Sequence, residues 1–150
     1  MTQTSNFTAS CGPPDGALTT FDPPDACTTF SGIFVSAINP AGVIVGSYTN
    51  ANCVTGRGFL RARDGTFSTF EVPGATSTEG YGINPEGAVT GDFFDASGVH
   101  IYLRAPNGIF TTFDSPSGQG IEPGPINPEG VTTGYYSDAS GIHGFLWTKH

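Results

Sequence analysis

Apolar residues along this chain alternate with polar or small ones in short stretches, and no stretch carries a helical period with caps. Alternation over four to eight residues marks a strand, whereas apolar positions recurring at 3.6-residue spacing mark a helix. Strands are therefore predicted at 43–48, 88–94 and 131–136, and again at 58–62, 101–104 and 144–147. Two further strands fall in "TFSTFEV" and "IFTTFDS", ended by Pro73 and Pro116. Each set opens with a brief strand that ends at "IN".

Turn residues punctuate the strands in a fixed order. Asn39, Asn84 and Asn127 each open an N-P-x-G turn, in which Pro presets φ for the second position and Gly closes the turn. "DASG" follows the second strand of two sets, at 95–98 and 138–141. "DG" at 64–65 and "NG" at 107–108 are strong hairpin signals before the fourth strand. The chain thus spells one four-stranded meander three times, and the third copy stops before its fourth strand. "LTTFDPP" at 18–24 matches that missing strand, so the N-terminus supplies one strand early.

Four-stranded repeats of roughly 40–50 residues are the size of propeller blades. The fold class expected is all-β, with three four-stranded antiparallel repeats as β-propeller-type blades. The N-terminal strand would complete the last blade, and two chains would make a six-bladed ring, because propellers have about 4–8 blades. A β-trefoil monomer is the alternative. Residues 1–16 form an N-terminal arm and 17–150 a single three-repeat domain.

Composition narrows the partners. Charged residues make up 12% and net charge is −8, so the chain lacks the cations to neutralise a phosphate backbone. Neither nucleic acid nor an anionic membrane surface is an expected partner. The first ten residues have no charged or apolar leader pattern, so no signal peptide is expected in them. Cys11, Cys27 and Cys53 match no zinc spacing. One disulfide is expected at Cys11–Cys27, with Cys27–Cys53 as its rival and idle thiols as the third reading.

"GIHGFLW" at 141–147, "INPEGVTTGYY" before it and "DGTFSTFEVPGA" between copies together resemble the HAF-repeat family of extracellular bacterial proteins. The resemblance covers about residues 17–150 and implies propeller-like architecture and an extracellular, secreted setting. Arg57 departs from the family pattern at the position where the other copies carry His100 and His143.

Several residues invite chemistry. Asp95, Ser97 and His100 recur as Asp138, Ser140 and His143, but a Ser-His-Asp triad is assembled from separate elements, and these read as strand connections. His100 and His143 together with Arg57 make a poor metal set, since Arg repels a cation; each imidazole is expected to satisfy a local backbone group. One carboxylate per loop is too few for calcium. Neither cofactor nor metal is expected. Glu86 and Glu129 read as solvated turn residues, while Glu79 and Glu122 lie between repeats, where clefts open.

Aromatic and polar side chains between blades are the binding candidates. Tyr48, Phe94 and Tyr136 are taken as repeat equivalents, joined by Arg57, His100, His143 and Trp147, with Tyr81 and Tyr102 nearby. Sugars stack on such rings while charged groups bond their hydroxyls. The expected function is an extracellular, multivalent binding module for glycans or a surface polymer, formed as a homodimer. A hydrolase with its site at an inter-blade or subunit cleft, and a structural self-assembling repeat, are the alternatives. Residues that break the repeat symmetry would favour the hydrolase.

Overall fold

Each N-P-x-G turn closes on itself in the same way. In the computed structural model, which describes residues 16–29, 32–116 and 120–149, the Asn39 carboxamide oxygen accepts the Val43 N–H at 2.9 Å. The Gly42 N–H returns to the Asn39 carbonyl at 2.9 Å, with Gly42 at a φ of 80° that only glycine adopts without strain. Asn84 and Asn127 repeat both bonds.

These turns set the first hairpin of three antiparallel sheets. The first sheet orders β1 (Ile33–Ile38), β2 (Ile44–Thr49), β3 (Gly56–Arg61) and β4 (Phe67–Phe70). The second orders β5 (Ser77–Ile83), β6 (Val89–Asp95), β7 (Gly98–Arg104) and β8 (Phe110–Phe113). The third has β9 (Ile121–Ile126), β10 (Thr132–Asp138) and β11 (Gly141–Trp147). No helix occurs among the described residues, so none is long and apolar enough to cross a membrane.

Glycine and aromatic residues pair across each central ladder. Gly46 faces Phe59, Gly91 faces Tyr102 and Gly134 faces Phe145. A Cβ at Gly91 would collide with the Tyr102 hydroxyl and the Glu79 carbonyl. That close approach explains the "VG" or "TG" of every repeat.

The sheets stack in chain order. β5 lies over β1, β2 and β3, and β9 lies over β5, β6 and β7. Between the first two sheets, Val45, Phe70, Val72, Ile83, Val89, Phe93 and Tyr102 form the main core. A smaller core of Ala88, Leu103 and Ile126, with Trp147 against it, joins the second and third. A fully buried aliphatic or aromatic side chain of this kind contributes about 1.5–3 kcal/mol. A ladder of buried amides ties the stack together: Asn39 Nδ2 donates to the Asn84 carbonyl at 3.1 Å, and Asn84 Nδ2 to the Asn127 carbonyl at 3.1 Å.

Three expectations need correction. The segment 18–24 does not pair with β11; it forms no strand and lies instead on the first sheet, where Phe21 packs on Phe67 at a centroid distance of 6.1 Å. The third sheet therefore has three strands among the described residues rather than four. Cys27 is joined to Cys53, not to Cys11, with Cα atoms 5.2 Å apart. The bridge ties the N-terminal segment to the loop after β2, beside the Cys27 N–H bond to the Thr49 carbonyl at 2.8 Å. Cys11 lies outside the described residues. Finally, "DASG" is a tight two-residue hairpin: Asp95 faces Gly98 and Asp138 faces Gly141, so His100 and His143 stand within strands rather than at their starts.

Candidate ligand-binding cleft between the second and third sheets

The innermost strands carry an irregularity at matching places. Register slips between Gly80 and Gly82 and between Val35 and Ala37 leave Tyr81 and Ser36 as the extra residues. Bulges of this kind re-aim a side chain out of the sheet. Tyr81 accordingly lines the clefts on both sides of β5.

The cleft toward the third sheet has a volume of about 370 Å³ and is strongly acidic. Glu79 and Asp92 stand directly opposite each other on β5 and β6, and Glu122 and Tyr135 oppose each other on β9 and β10. All four line the space with Tyr81 and Phe94, and no Lys or Arg among the described residues does. The Tyr81 hydroxyl donates to Glu79 Oε2 at 3.2 Å, and the Tyr135 hydroxyl donates to Glu122 Oε2. Beneath them, the Tyr102 hydroxyl holds the Glu79 carbonyl at 2.7 Å.

Asp92 is the unusual member. It is only 4% exposed, and its Oδ1 has no hydrogen-bond partner among the described residues. Burial, and then the charges of Glu79 and Glu122, push its carboxyl up to about 7. Ionising a buried acid beside two others is costly, and the proton relieves that cost. Burial and the same three carboxylates also raise the Tyr81 phenol, which stays a neutral donor. The cleft therefore offers hydroxyl donors, carboxylate acceptors and one carboxyl poised to change charge near neutral pH. Among the described residues, no three His, Cys, Asp or Glu side chains converge as metal ligands.

No protein-family model, curated protein or solved structure matches this chain.

The cleft on the other side of β5 follows the same plan with different chemistry. It holds about 330 Å³ and is lined by Phe34, Val35, Ser36, Ser47, Glu79, Gly80 and Tyr81. Counting from the marker asparagines, Ser47 stands where Asp92 and Tyr135 stand, and Phe34 where Glu79 and Glu122 stand. A further cavity of about 570 Å³ lies along residues 22–29 and 32–33, with Asp22 the only carboxylate lining it among the described residues.

The residues singled out from sequence are spread over all three sheets. Of Tyr48, Arg57, Phe94, His100, Tyr136, His143 and Trp147, only Phe94, 38% exposed, lines the acidic cleft, beside Glu79, Glu122 and Tyr81. It is not the equivalent of Tyr48 and Tyr136: those rings face Arg57 and His143, and the residue facing His100 is Phe93. Tyr48 is 1% exposed and donates to Asp25 Oδ1 at 2.6 Å; burial and Asp25 raise its phenol to about 12. Arg57 is held between Asp25 and Glu71. Tyr136 packs beside His143 with centroids 5.2 Å apart. Trp147 stacks on Phe113 at 4.6 Å.

Both histidines take side-chain partners, not the backbone groups expected. His100 Nδ1 meets Asp114, and Nε2 lies 2.8 Å from Ser97 Oγ and 3.1 Å from Asp95 Oδ1. Ser97, His100 and Asp114 thus share the contact order of a triad, yet Ser97 donates its hydroxyl proton to Asp95 at 2.6 Å. Asp114 first, and then Asp95, raise the imidazole above its ordinary value, and with its proton on Asp95 the serine is not set to give it to the ring. The cluster acts as a hairpin clamp. His143 repeats it with Ser140 at 2.9 Å and Asp138 at 3.1 Å. In both copies the Ser hydroxyl and N–H hold the Asp carboxyl down at about 2.

Sequence reasoning picked out Glu79, Glu122 and Tyr81 but passed over Asp92 and Tyr135. The available signal was the position Ser47, Asp92, Tyr135, where three aligned repeats carry three different residues.

Proposed function

We propose that the chain is a β-propeller-type binding module, one half of a two-chain, six-bladed ring, whose acidic cleft takes a glycan or a similar hydroxyl-rich surface polymer. Separate sheets of four, four and three strands, with the first strand of the second and third laid over the preceding sheet, support the blade reading over a trefoil. The single observation that carries the binding reading is Asp92, a buried carboxyl that lines the cleft and whose Oδ1 has no hydrogen-bond partner among the described residues. A buried acceptor without a donor is costly, and a ligand hydroxyl or amine relieves it. The Tyr81, Phe94 and Tyr135 rings supply apolar surface for sugar C–H groups, and Glu79 and Glu122 accept further hydroxyls. The Cys27–Cys53 disulfide is compatible with an extracellular location and supports that setting for the module.

Titration calorimetry with neutral and amino-sugar oligosaccharides tests this reading on the wild type and on Asp92→Leu, which removes the acceptor at similar size. About a tenfold loss of affinity is expected, near 1.4 kcal/mol. Equal binding by the two proteins would sink it.

A hydrolase is the second reading, favoured by one observation: the cleft breaks the repeat symmetry, with Asp92 where Ser47 and Tyr135 stand. A carboxyl protonated near pH 7 beside two other carboxylates is the arrangement of a proton donor with a base or nucleophile. Incubation with the same oligosaccharides and detection of new reducing ends checks it; unchanged substrate after a long incubation removes it.

A further inference from the structure

The two internal junctions share a set of contacts. At the first, Phe70 of β4 reaches across to Tyr102 and Phe110 of the second sheet, 6.2 and 6.4 Å between centroids, with the Arg104 guanidinium 5.1 Å above its ring. At the second, Phe113 of β8 lies on Phe145 and Trp147. After Phe70 the chain turns with Ala75 N–H donating to the Val72 carbonyl at 3.0 Å and Thr76 N–H to the Phe94 carbonyl at 2.7 Å.

The N-terminal segment repeats this pattern with no sheet behind it among the described residues. Phe21 lies on Phe67 with the Arg61 guanidinium 4.8 Å from its ring. Ala26 N–H donates to the Pro23 carbonyl at 3.2 Å, and Cys27 N–H to the Thr49 carbonyl at 2.8 Å. Residues 18–27 are thus seated on the first sheet as the outer strand and connection of a preceding blade. At the opposite end, β11 has a free edge among the described residues, and Ile142 and Leu146 are 75% and 72% exposed.

We propose that residues 18–22 of a second copy form the fourth strand of the third sheet, so that two copies close the ring reciprocally. This inference rests on the two-chain ring above and specifies its contacts. The register follows β3–β4 and β7–β8, where Phe59 faces Thr69 and Tyr102 faces Thr112. Phe145 then faces Thr20, Gly144 faces Phe21 and Trp147 faces Leu18, which is 94% exposed in the single chain. Three further matches agree. Arg57 has Glu71 and His100 has Asp114 from the position just after the fourth strand, and Asp22 holds that position for His143. Asn127 is the exposed end of the amide ladder, and the next rung is the Asn39 carbonyl of the second copy. Leu146, the counterpart of Leu60 and Leu103, meets the free face of the second copy's first sheet, and so becomes buried.

The test uses the full chain. Light scattering behind size exclusion is expected to give twice the chain mass of 15.5 kDa. In a Cys11→Ser background, Thr20→Cys with Phe145→Cys is expected to form an inter-chain disulfide on oxidation. Thr19→Pro with Thr20→Pro removes the one N–H of the two that faces β11, and is expected to weaken the dimer by about 100-fold. Circular dichroism of the variant and the wild type, both diluted to the monomer, should agree, because residues 18–22 form no strand in the single chain. A monomer at every concentration overturns both the ring and the strand donation. A dimer that neither cross-links nor responds to the prolines overturns the strand donation and leaves the ring standing. A cross-link formed within one chain overturns the second copy as donor.

Discussion

The two junctions between sheets are built on one backbone plan and put to different uses. The first fills its faces with Val45, Phe70, Val89 and Tyr102, and places the small Ser47 at the inner position. The second holds a thinner core of Ala88, Leu103 and Ile126, and places Asp92 at the position matching Ser47. Their contrast separates two demands on a repeat. Where burial is saturated with apolar groups, the junction stabilises the fold; where one inward position carries an acid, stability is given up for an acceptor in a cleft. A like-charge cross-strand pair such as Glu79–Asp92 is destabilising in itself, which makes it informative about use.

The largest effect should come from emptying the first junction. Tyr102→Ala removes a fully buried ring and its bond to the Glu79 carbonyl, and is expected to cost about 3–5 kcal/mol in urea unfolding. Trp147→Ala, at the second junction and half exposed, should cost roughly half as much. Equal losses would break the comparison.

Next comes the pH response of the second junction. The Asp92 carboxyl lies higher in the folded chain, at about 7, than its ordinary value of 3.8, so the native state holds the extra proton between those limits. The contribution of Asp92 to stability is greatest below about pH 4, declines from pH 4 to 7 and stays low above. Asp92→Asn should therefore stabilise the protein at pH 8 by on the order of 2–4 kcal/mol and leave it unchanged near pH 3.5. A variant with the same pH slope as the wild type would show that Asp92 is not the titrating group.

A smaller effect tests the ladder that both junctions share. Asn84→Ala breaks the bonds to Ala88 N–H and to the Asn127 carbonyl in a buried setting, with about 1–3 kcal/mol lost. Asn127→Ala, exposed at the end of the ladder, should cost about 0.5–1 kcal/mol in the single chain. Smallest of all, Ser47→Asp transplants the acid to the first junction, and its cost should appear only above about pH 5, growing to about 1 kcal/mol by pH 8. A pH-independent loss would mean that shape, not charge, distinguishes the junctions.

The strands and their grouping were legible because local chemistry dictates them. N-P-x-G, "DG" and "NG" specify turns at fixed offsets, and the alternation between them specifies strands. The faces were less legible. A two-residue hairpin at Asp95–Gly98 shifts which ring meets His100, and Phe93 and Phe94 are neighbours with opposite fates. Position 18–24 reads as a strand because its residues match β4 and β8, yet a strand needs a partner edge, and the single chain holds that segment on another surface. Cys27 finds Cys53 because the repeat-matched bond to Thr49 brings the two loops together, a tertiary fact. Asp92 looks like a solvent-facing strand residue in "TGDFFD"; its burial comes from the stacking of the third sheet's inner strand.

Carbon-13 NMR of the Asp92 side-chain carboxyl, followed through pH and then through addition of oligosaccharide, tests the central claim most directly. A titration midpoint near 7 in the free protein and a shift of the signal when the sugar is added are expected. A midpoint near 4 with a signal indifferent to sugar would contradict it.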